Sequence, residues 1–131
     1  MKVLLVDDDE ALLTIFQTTL TKDGFEVITA PNGQSGIDKA KTEKPDFILL
    51  DQVLPDIQGN EVLSTLKADL ETKNIPVAML SNFGQTEMVQ AAINAGALDY
   101  ILKYQIEPSD LTNKINTLMK ESQERSATPG Q

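Results

Sequence analysis

Acidic side chains, a hydroxyl and a lysine stand directly after short apolar runs of the sequence. An aspartate is already ionised at neutral pH, so its carboxylate can attack a phosphoryl group without a general base. A metal ion, a hydroxyl and an ammonium group could then stabilise the phosphoryl oxygens. The residues in these places are Asp7, Asp8, Asp9 and Glu10 after the first run, Asp51 after the third, Ser81 and Asn82 after the fourth, and Lys103 after the fifth.

The 131 residues contain neither histidine nor cysteine. Their absence excludes a Ser-His-Asp triad, a thiolate nucleophile and the usual zinc sites. Carboxylates that are packed together repel one another unless a cation lies among them. With oxygen ligands alone, the cation that fits is Mg²⁺, with Mn²⁺ close behind.

The charge balance limits the partners. Lys and Arg total 11 and Asp and Glu total 20, which gives a net charge of −9. Such a surface repels nucleic-acid phosphates and anionic lipids, so we expect neither direct nucleic-acid binding nor membrane binding. The apolar runs are far shorter than the ~20 residues of a membrane span. The N-terminus lacks the features of a signal peptide, and we therefore expect a cytoplasmic protein.

Short apolar runs alternate with amphipathic stretches five times, which predicts an α/β fold. The runs have little polar alternation, as strands that are covered on both faces do. The alternation predicts a five-stranded parallel sheet with right-handed crossovers and helices on both faces. The predicted strands are 3–6, 25–29, 47–50, 77–80 and 100–102.

Helical spacing of apolar residues supports the intervening helices. Two weaker stretches, 36–42 and 86–95, are also compatible with helices. The expected apolar faces consist of Leu13, Phe16 and Leu20 in the first helix, Val62, Leu63, Leu66 and Leu70 in the third, and Leu111, Ile115 and Leu118 in the last.

Ligands of an open parallel sheet bind beyond the carboxyl ends of its strands. The polar residues that follow the runs should therefore meet at one edge. Each of them alone has a simpler interpretation, such as a helix cap for the acids or a solvated charge for Lys103. Their joint occurrence at strand ends indicates a site.

Four blocks of the sequence resemble the receiver domain of two-component response regulators. These blocks are 3–10 (VLLVDDDE), 49–59 (LLDQVLPDIQG), 78–81 (AMLS) and 99–103 (DYILK). The resemblance covers roughly residues 1–122, and residues 123–131 are expected to form a flexible tail or the start of a linker. It implies the flavodoxin-like strand order 2-1-3-4-5.

The resemblance also implies a function, that of a phosphoacceptor signalling switch rather than an enzyme with a separate substrate. By this likeness Asp51 is the phosphoacceptor, and the Mg²⁺ ligands are Asp7, Asp8, Asp51 and the backbone carbonyl of Val53. Phosphorylation would change the docking face made by the fourth helix, fifth strand and fifth helix. The residues implied in phosphoryl binding and switching are Ser81, Lys103 and Tyr100, whereas Asp9 is expected only to cap the first helix.

The phosphoryl donor must be another protein, because a chain without histidine has no phosphohistidine of its own. The resemblance implies a histidine kinase or a histidine phosphotransfer protein, with the downstream effector left open. The sequence departs from the family pattern at Tyr104, where proline usually follows the lysine in a cis bond. A cis bond before a non-proline residue costs ~2.5–4 kcal/mol, so we expect a trans bond and a differently shaped loop. A second departure is Ser81, where threonine is commoner.

Three alternatives remain beside this interpretation. A small haloacid-dehalogenase-like phosphatase would use Asp7 and Asp9 in its opening motif, but it would leave Asp51 without a role. A flavin-binding electron carrier needs an anion-binding loop after the first strand, which the acidic residues there disfavour. The third alternative is a receiver that binds partners without being phosphorylated.

Overall fold

The computed structural model describes the backbone of residues 1–127 and the side chains of residues 1–123. Within this part of the chain, five parallel strands form one sheet in the order β2-β1-β3-β4-β5, as predicted. The strands are β1 (Lys2–Val6), β2 (Glu26–Ala30), β3 (Phe47–Leu50), β4 (Val77–Ser81) and β5 (Tyr100–Leu102).

Helices follow every strand and lie on both faces of the sheet, so the predicted fold class is confirmed. The cap expected at Asp9 is present, because its side chain accepts a hydrogen bond from the backbone N–H of Leu12. The helices are α1 (Glu10–Lys22), α2 (Gly33–Glu43), α3 (Gly59–Ala68), α4 (Thr86–Asn94) and α5 (Pro108–Ala127), and a short 3₁₀ turn covers Lys103–Gln105.

Two apolar cores lie on opposite faces of the sheet because successive strand residues point to opposite sides. In β1, Val3 and Leu5 pack with α1 and α5, whereas Leu4 and Val6 pack with α2 and α3. All four are at most 2% exposed. This burial on both faces explains the continuous apolar runs of the central strands.

The third helix is shorter than its apolar pattern predicts. It ends at Ala68, and Asp69 has an extended backbone. The prediction that Leu70 shares the buried face is therefore wrong, and the Leu70 side chain is 80% exposed. Three strands also differ slightly from their predicted bounds, since β1 begins at Lys2, β2 runs from Glu26 to Ala30 and β4 ends at Ser81.

The strand register brings the predicted site residues to one edge of the sheet. Val6 is paired with Leu50, and Ser81 with Leu102, so the residues after β1, β3 and β5 emerge at the same end. The domain boundary at residue 122 stays a prediction, and part of the expected tail, residues 128–131, lies outside the described residues. Over residues 1–127, no helix has both the length and the apolar character needed to cross a membrane.

Candidate functional site

Two aspartates stand at the ends of the central strands β1 and β3. The Asp7 N–H donates to the carbonyl of Ala30 at 3.0 Å, and the Asp51 N–H donates to that of Val6 at 2.9 Å. Both backbones thus extend the ladders of the sheet, which fixes where their side chains begin. Asp7 and Asp51 are only 4% and 6% exposed.

Asp8 completes a group of three carboxylates with Asp7 and Asp51. One oxygen from each residue lies within 4.8 Å of the others, although Asp8 itself is exposed. Three hard oxygen donors at this separation fit a divalent cation such as Mg²⁺. The neighbouring Asp9 is not part of this group. Its N–H donates to Asp7 Oδ1 at 3.0 Å, and its own carboxylate caps α1.

Lys103 reaches into this group from the end of β5. Its Nζ lies 2.7 Å from Asp7 Oδ2 and 3.3 Å from Asp51 Oδ2. The Lys103 side chain is 9% exposed, so water screens these ion pairs little. The ammonium group therefore partly neutralises the carboxylates that the sheet brings together.

The electrostatics of Asp51 reflect this crowding. The pKa of Asp51 is raised to about 6, first by burial and then by the negative charge of Asp7. Lys103 and the hydrogen bond from the Val53 N–H lower this pKa, but only partly offset the rise. Burial alone lowers the pKa of Lys103. Its hydrogen bond to Asp7 and the charges of Asp51 and Asp7 outweigh burial and raise that pKa overall. The site therefore favours a bound positive charge.

Ser81 and Tyr100 are connected through the backbone of one residue. Ser81 is fully buried, and its Oγ accepts the N–H of Phe83 at 3.1 Å. The Tyr100 hydroxyl donates to the carbonyl of Phe83 at 2.6 Å and lies 3.8 Å from the sulfur of Met88. Phe83 therefore connects the buried hydroxyl at the end of β4 to the aromatic ring of β5.

The loop after Lys103 has the trans geometry expected for a non-proline residue. No cis peptide bond occurs among the described residues, and residues 103–105 form the 3₁₀ turn. Tyr104 is 68% exposed and points away from the core. The departure from proline thus does not prevent Lys103 from contacting Asp7 and Asp51.

An open cleft of about 320 Å³ lies among the carboxylates and Lys103, and neither Ser81 nor Tyr100 is among its lining residues. Two apolar side chains that line the cleft were not predicted from the sequence. They are Phe83 and Val53, which are 47% and 50% exposed. The sequence signal for these two residues was their position just past the strand ends, since Phe83 lies two residues after β4 and Val53 three residues after β3. The lining residues are Asp7, Asp8, Asp9, Asp51, Val53, Asn82, Phe83 and Lys103.

The fold and cleft define a flavodoxin-like α/β protein with an acidic site at the strand ends. A model of the response regulator receiver domain matches residues 3–116, which is most of the chain. The protein therefore belongs to the receiver domain family of two-component response regulators. Receiver domains bind Mg²⁺ at an acidic pocket and interact with histidine kinases or phosphotransfer proteins.

Individual proteins agree with this assignment. The chain is 34% identical over 122 residues to the alkaline phosphatase synthesis transcriptional regulatory protein PhoP of Bacillus subtilis, covering 93% of this chain and 50% of that protein. It is 32% identical over 102 residues to sporulation initiation phosphotransferase F of the same species, covering 78% and 81%. Thus the chain spans about half the length of the first relative but most of the second.

A solved structure shows the same architecture. The receiver domain protein (CheY-like) of Methanospirillum hungatei superimposes with a TM-score of 0.87 at 31% identity, over 95% of this chain and 97% of that chain. The family assignment gives no support to the phosphatase alternative, since receivers are typically signalling switches without a separate enzymatic activity.

Proposed function

We propose that the protein accepts a phosphoryl group on Asp51 and acts as a phosphorelay switch. The observation that carries this proposal is the contact of Lys103 with both Asp51 and Asp7, beside the group of three carboxylates. An ammonium group and a group of carboxylates that could hold a cation, both in contact with one buried carboxylate, fit phosphoryl transfer.

Asp7, Asp8, Asp51 and the backbone carbonyl of Val53 would hold Mg²⁺ or, as a substitute, Mn²⁺. When bound, the ion would neutralise charge on the phosphoryl oxygens and on the carboxylates. The acidic donor set and the raised pKa of Asp51 support this assignment.

The chain's own residues account for the rest of the transfer. A carboxylate oxygen of Asp51 attacks the phosphorus of a phosphohistidine, forming the O–P bond as the N–P bond breaks. The imidazole of the donor protein leaves with the electron pair of that bond. The Lys103 ammonium and the Ser81 hydroxyl bind the oxygens of the transferred group, which becomes an aspartyl phosphate.

The donor in this proposal is a histidine kinase or a histidine phosphotransfer protein in the cytoplasm. The name of the phosphotransferase relative supports such a role. The downstream effector is open, because the chain covers only half of the transcriptional regulator that it matches.

The proposed switch connects the phosphoryl group to the α4–β5–α5 surface. A phosphoryl oxygen that accepts a hydrogen bond from the Ser81 O–H would draw Ser81 Oγ toward the site and lengthen its hydrogen bond from the Phe83 N–H. The Phe83 carbonyl is the acceptor for the Tyr100 hydroxyl, so a change in Phe83 reaches Tyr100 in β5. This linked pair of hydrogen bonds supports a coupling between the site and the docking face.

Mass measurement of the intact protein tests the proposal. We expect a small acyl phosphate with Mg²⁺ to add one phosphoryl group to the wild-type chain. Asp51→Asn should remain unlabelled, and excess chelator should abolish labelling of the wild type. Equal labelling of Asp51→Asn would refute the assignment of the acceptor, and a chain that accepts no phosphoryl group would favour the receiver that binds partners without phosphorylation.

A further inference from the structure

A carboxylate outside the cleft connects the β3–α3 loop, residues 51–58, to the start of α2. Asp56 Oδ1 accepts the N–H of Gly33 at 2.7 Å, and Asp56 Oδ2 accepts the N–H of Gln34 at 2.9 Å. The first N–H groups of a helix have no partner within the helix. These two hydrogen bonds, that from Gln34 foremost, also lower the pKa of Asp56. Asp56 therefore binds α2 as a charged group with both of its oxygens.

Close packing beside Asp56 reinforces the connection. A Cβ atom on Gly33 would lie 2.3 Å from Ile57 Cγ1 and 2.9 Å from Val62 Cγ2. Only glycine leaves room for Ile57 at this point, because real Cβ atoms do not approach other atoms so closely. Two successive loop residues, Asp56 and Ile57, are thus held against the first residue of α2.

The other part of the loop is fixed at the phosphoacceptor strand. The Gly59 N–H donates to the carbonyl of Gln52 at 2.8 Å. A Cβ atom on Gly59 would lie 2.3 Å from the carbonyl oxygen of Asp51, so the start of α3 touches the end of β3. Val53 lies between these two fixed regions, and its N–H donates to the Asp51 carboxylate.

We propose that Asp56 is a positioning residue for the acidic site. By holding the β3–α3 loop on α2, Asp56 sets the backbone of Val53, three residues earlier. This inference rests on the proposed function, in which the Val53 carbonyl is a Mg²⁺ ligand. Outer residues that orient metal ligands typically change metal affinity by about 10–100-fold when they are replaced.

The competing interpretation is that Asp56 only caps α2. A cap stabilises its helix, and its loss would lower the melting temperature without changing the intrinsic Mg²⁺ affinity of the folded protein. Mg²⁺ affinity measured well below the melting temperature therefore distinguishes positioning from capping.

The experiment measures the Mg²⁺ dissociation constant by calorimetric titration of the full chain. We expect about a tenfold weaker affinity in Asp56→Ala and a smaller loss in Asp56→Asn, which keeps one acceptor oxygen. Both variants remove the same charge, so the difference between them reports the hydrogen bonds. Asp69→Ala is the matched control, because Asp69 accepts the Glu71 N–H and pairs with Lys41 at the opposite end of the sheet. Its affinity should equal that of the wild type.

Two results would overturn the inference and are distinguishable. If the wild type binds Mg²⁺ and is labelled on Asp51 while Asp56→Ala binds Mg²⁺ equally well, Asp56 is only a cap and the proposed function stands. If the wild type neither binds Mg²⁺ nor accepts a phosphoryl group, the proposed function fails and the inference fails with it.

Discussion

Replacing Asp51 with asparagine should stabilise the metal-free protein. The folded state raises the pKa of this carboxyl from 3.8 to about 6, through burial and then the charge of Asp7. A difference of about 2 pKa units corresponds to about 3 kcal/mol, because each unit is worth about 1.4 kcal/mol. Asparagine has no charge to desolvate and keeps an oxygen near Lys103. We expect Asp51→Asn to raise the free energy of unfolding by up to about 3 kcal/mol at pH 7.5.

The sign of the pH dependence follows from proton binding. Between pH 3.8 and about 6, the folded wild type holds a proton on Asp51 that the unfolded chain has lost. The contribution of Asp51 to the stability of the wild type therefore falls as the pH rises through this range, and its full cost is present above it. The advantage of Asp51→Asn should be about half as large at pH 5 as at pH 7.5.

Urea unfolding followed by circular dichroism, with EDTA present, measures both effects. The matched control is Asp38→Asn, since Asp38 is exposed on α2 and should change stability by no more than about 0.5 kcal/mol. Added Mg²⁺ should reduce the difference in the free energy of unfolding between Asp51→Asn and the wild type, because Mg²⁺ binding stabilises the folded wild type. The reasoning is refuted if Asp51→Asn is less stable than the wild type, or if its advantage does not change between pH 5 and 7.5.

Three further changes test separate contacts. Lys103→Ala removes the ammonium group from Asp7 and Asp51, so it should lower the free energy of unfolding in EDTA by about 3 kcal/mol. It should also tighten Mg²⁺ binding in a calorimetric titration, because the Lys103 ammonium and Mg²⁺ compete for the same carboxylates. Weaker Mg²⁺ binding would contradict this competition. Tyr100→Phe removes the donor to the Phe83 carbonyl, so it should lower the free energy of unfolding in urea by about 1 kcal/mol. In the wild type, beryllofluoride with Mg²⁺ should shift the NMR signals of Tyr100. Unchanged signals would refute the proposed switch. Gly59→Ala should lower stability by about 1–3 kcal/mol in thermal unfolding, and a neutral effect would mean that α3 and the Asp51 carbonyl separate easily.

Much of the fold could be predicted because strands that are buried on both faces consist of consecutive apolar residues. The run at 47–50 is buried throughout and was predicted with its observed bounds. Leu70 shows the limit of such patterns. Its spacing fits the buried face of α3, but the helix ends two residues earlier. Periodicity records which positions suit a helix and does not record where the chain leaves it.

The candidate site was predictable where residues follow strands directly. Asp7, Asp51 and Lys103 come together because the register of the parallel sheet aligns the strand ends. The connection of Asp56 to α2 was not predictable, since it joins residues 22 and 23 positions apart through a loop conformation. No local sequence pattern indicates that Asp56 contacts the start of α2.

The phosphorylated residue can be located directly by chemical trapping. After treatment with a small acyl phosphate and Mg²⁺, borohydride reduces an aspartyl phosphate to homoserine, and peptide mass spectrometry then finds the altered position. We predict homoserine at position 51 alone, and none when Mg²⁺ is chelated. Homoserine at position 7 or 8, or at no position in a protein that binds Mg²⁺, would contradict the central claim that Asp51 accepts the phosphoryl group.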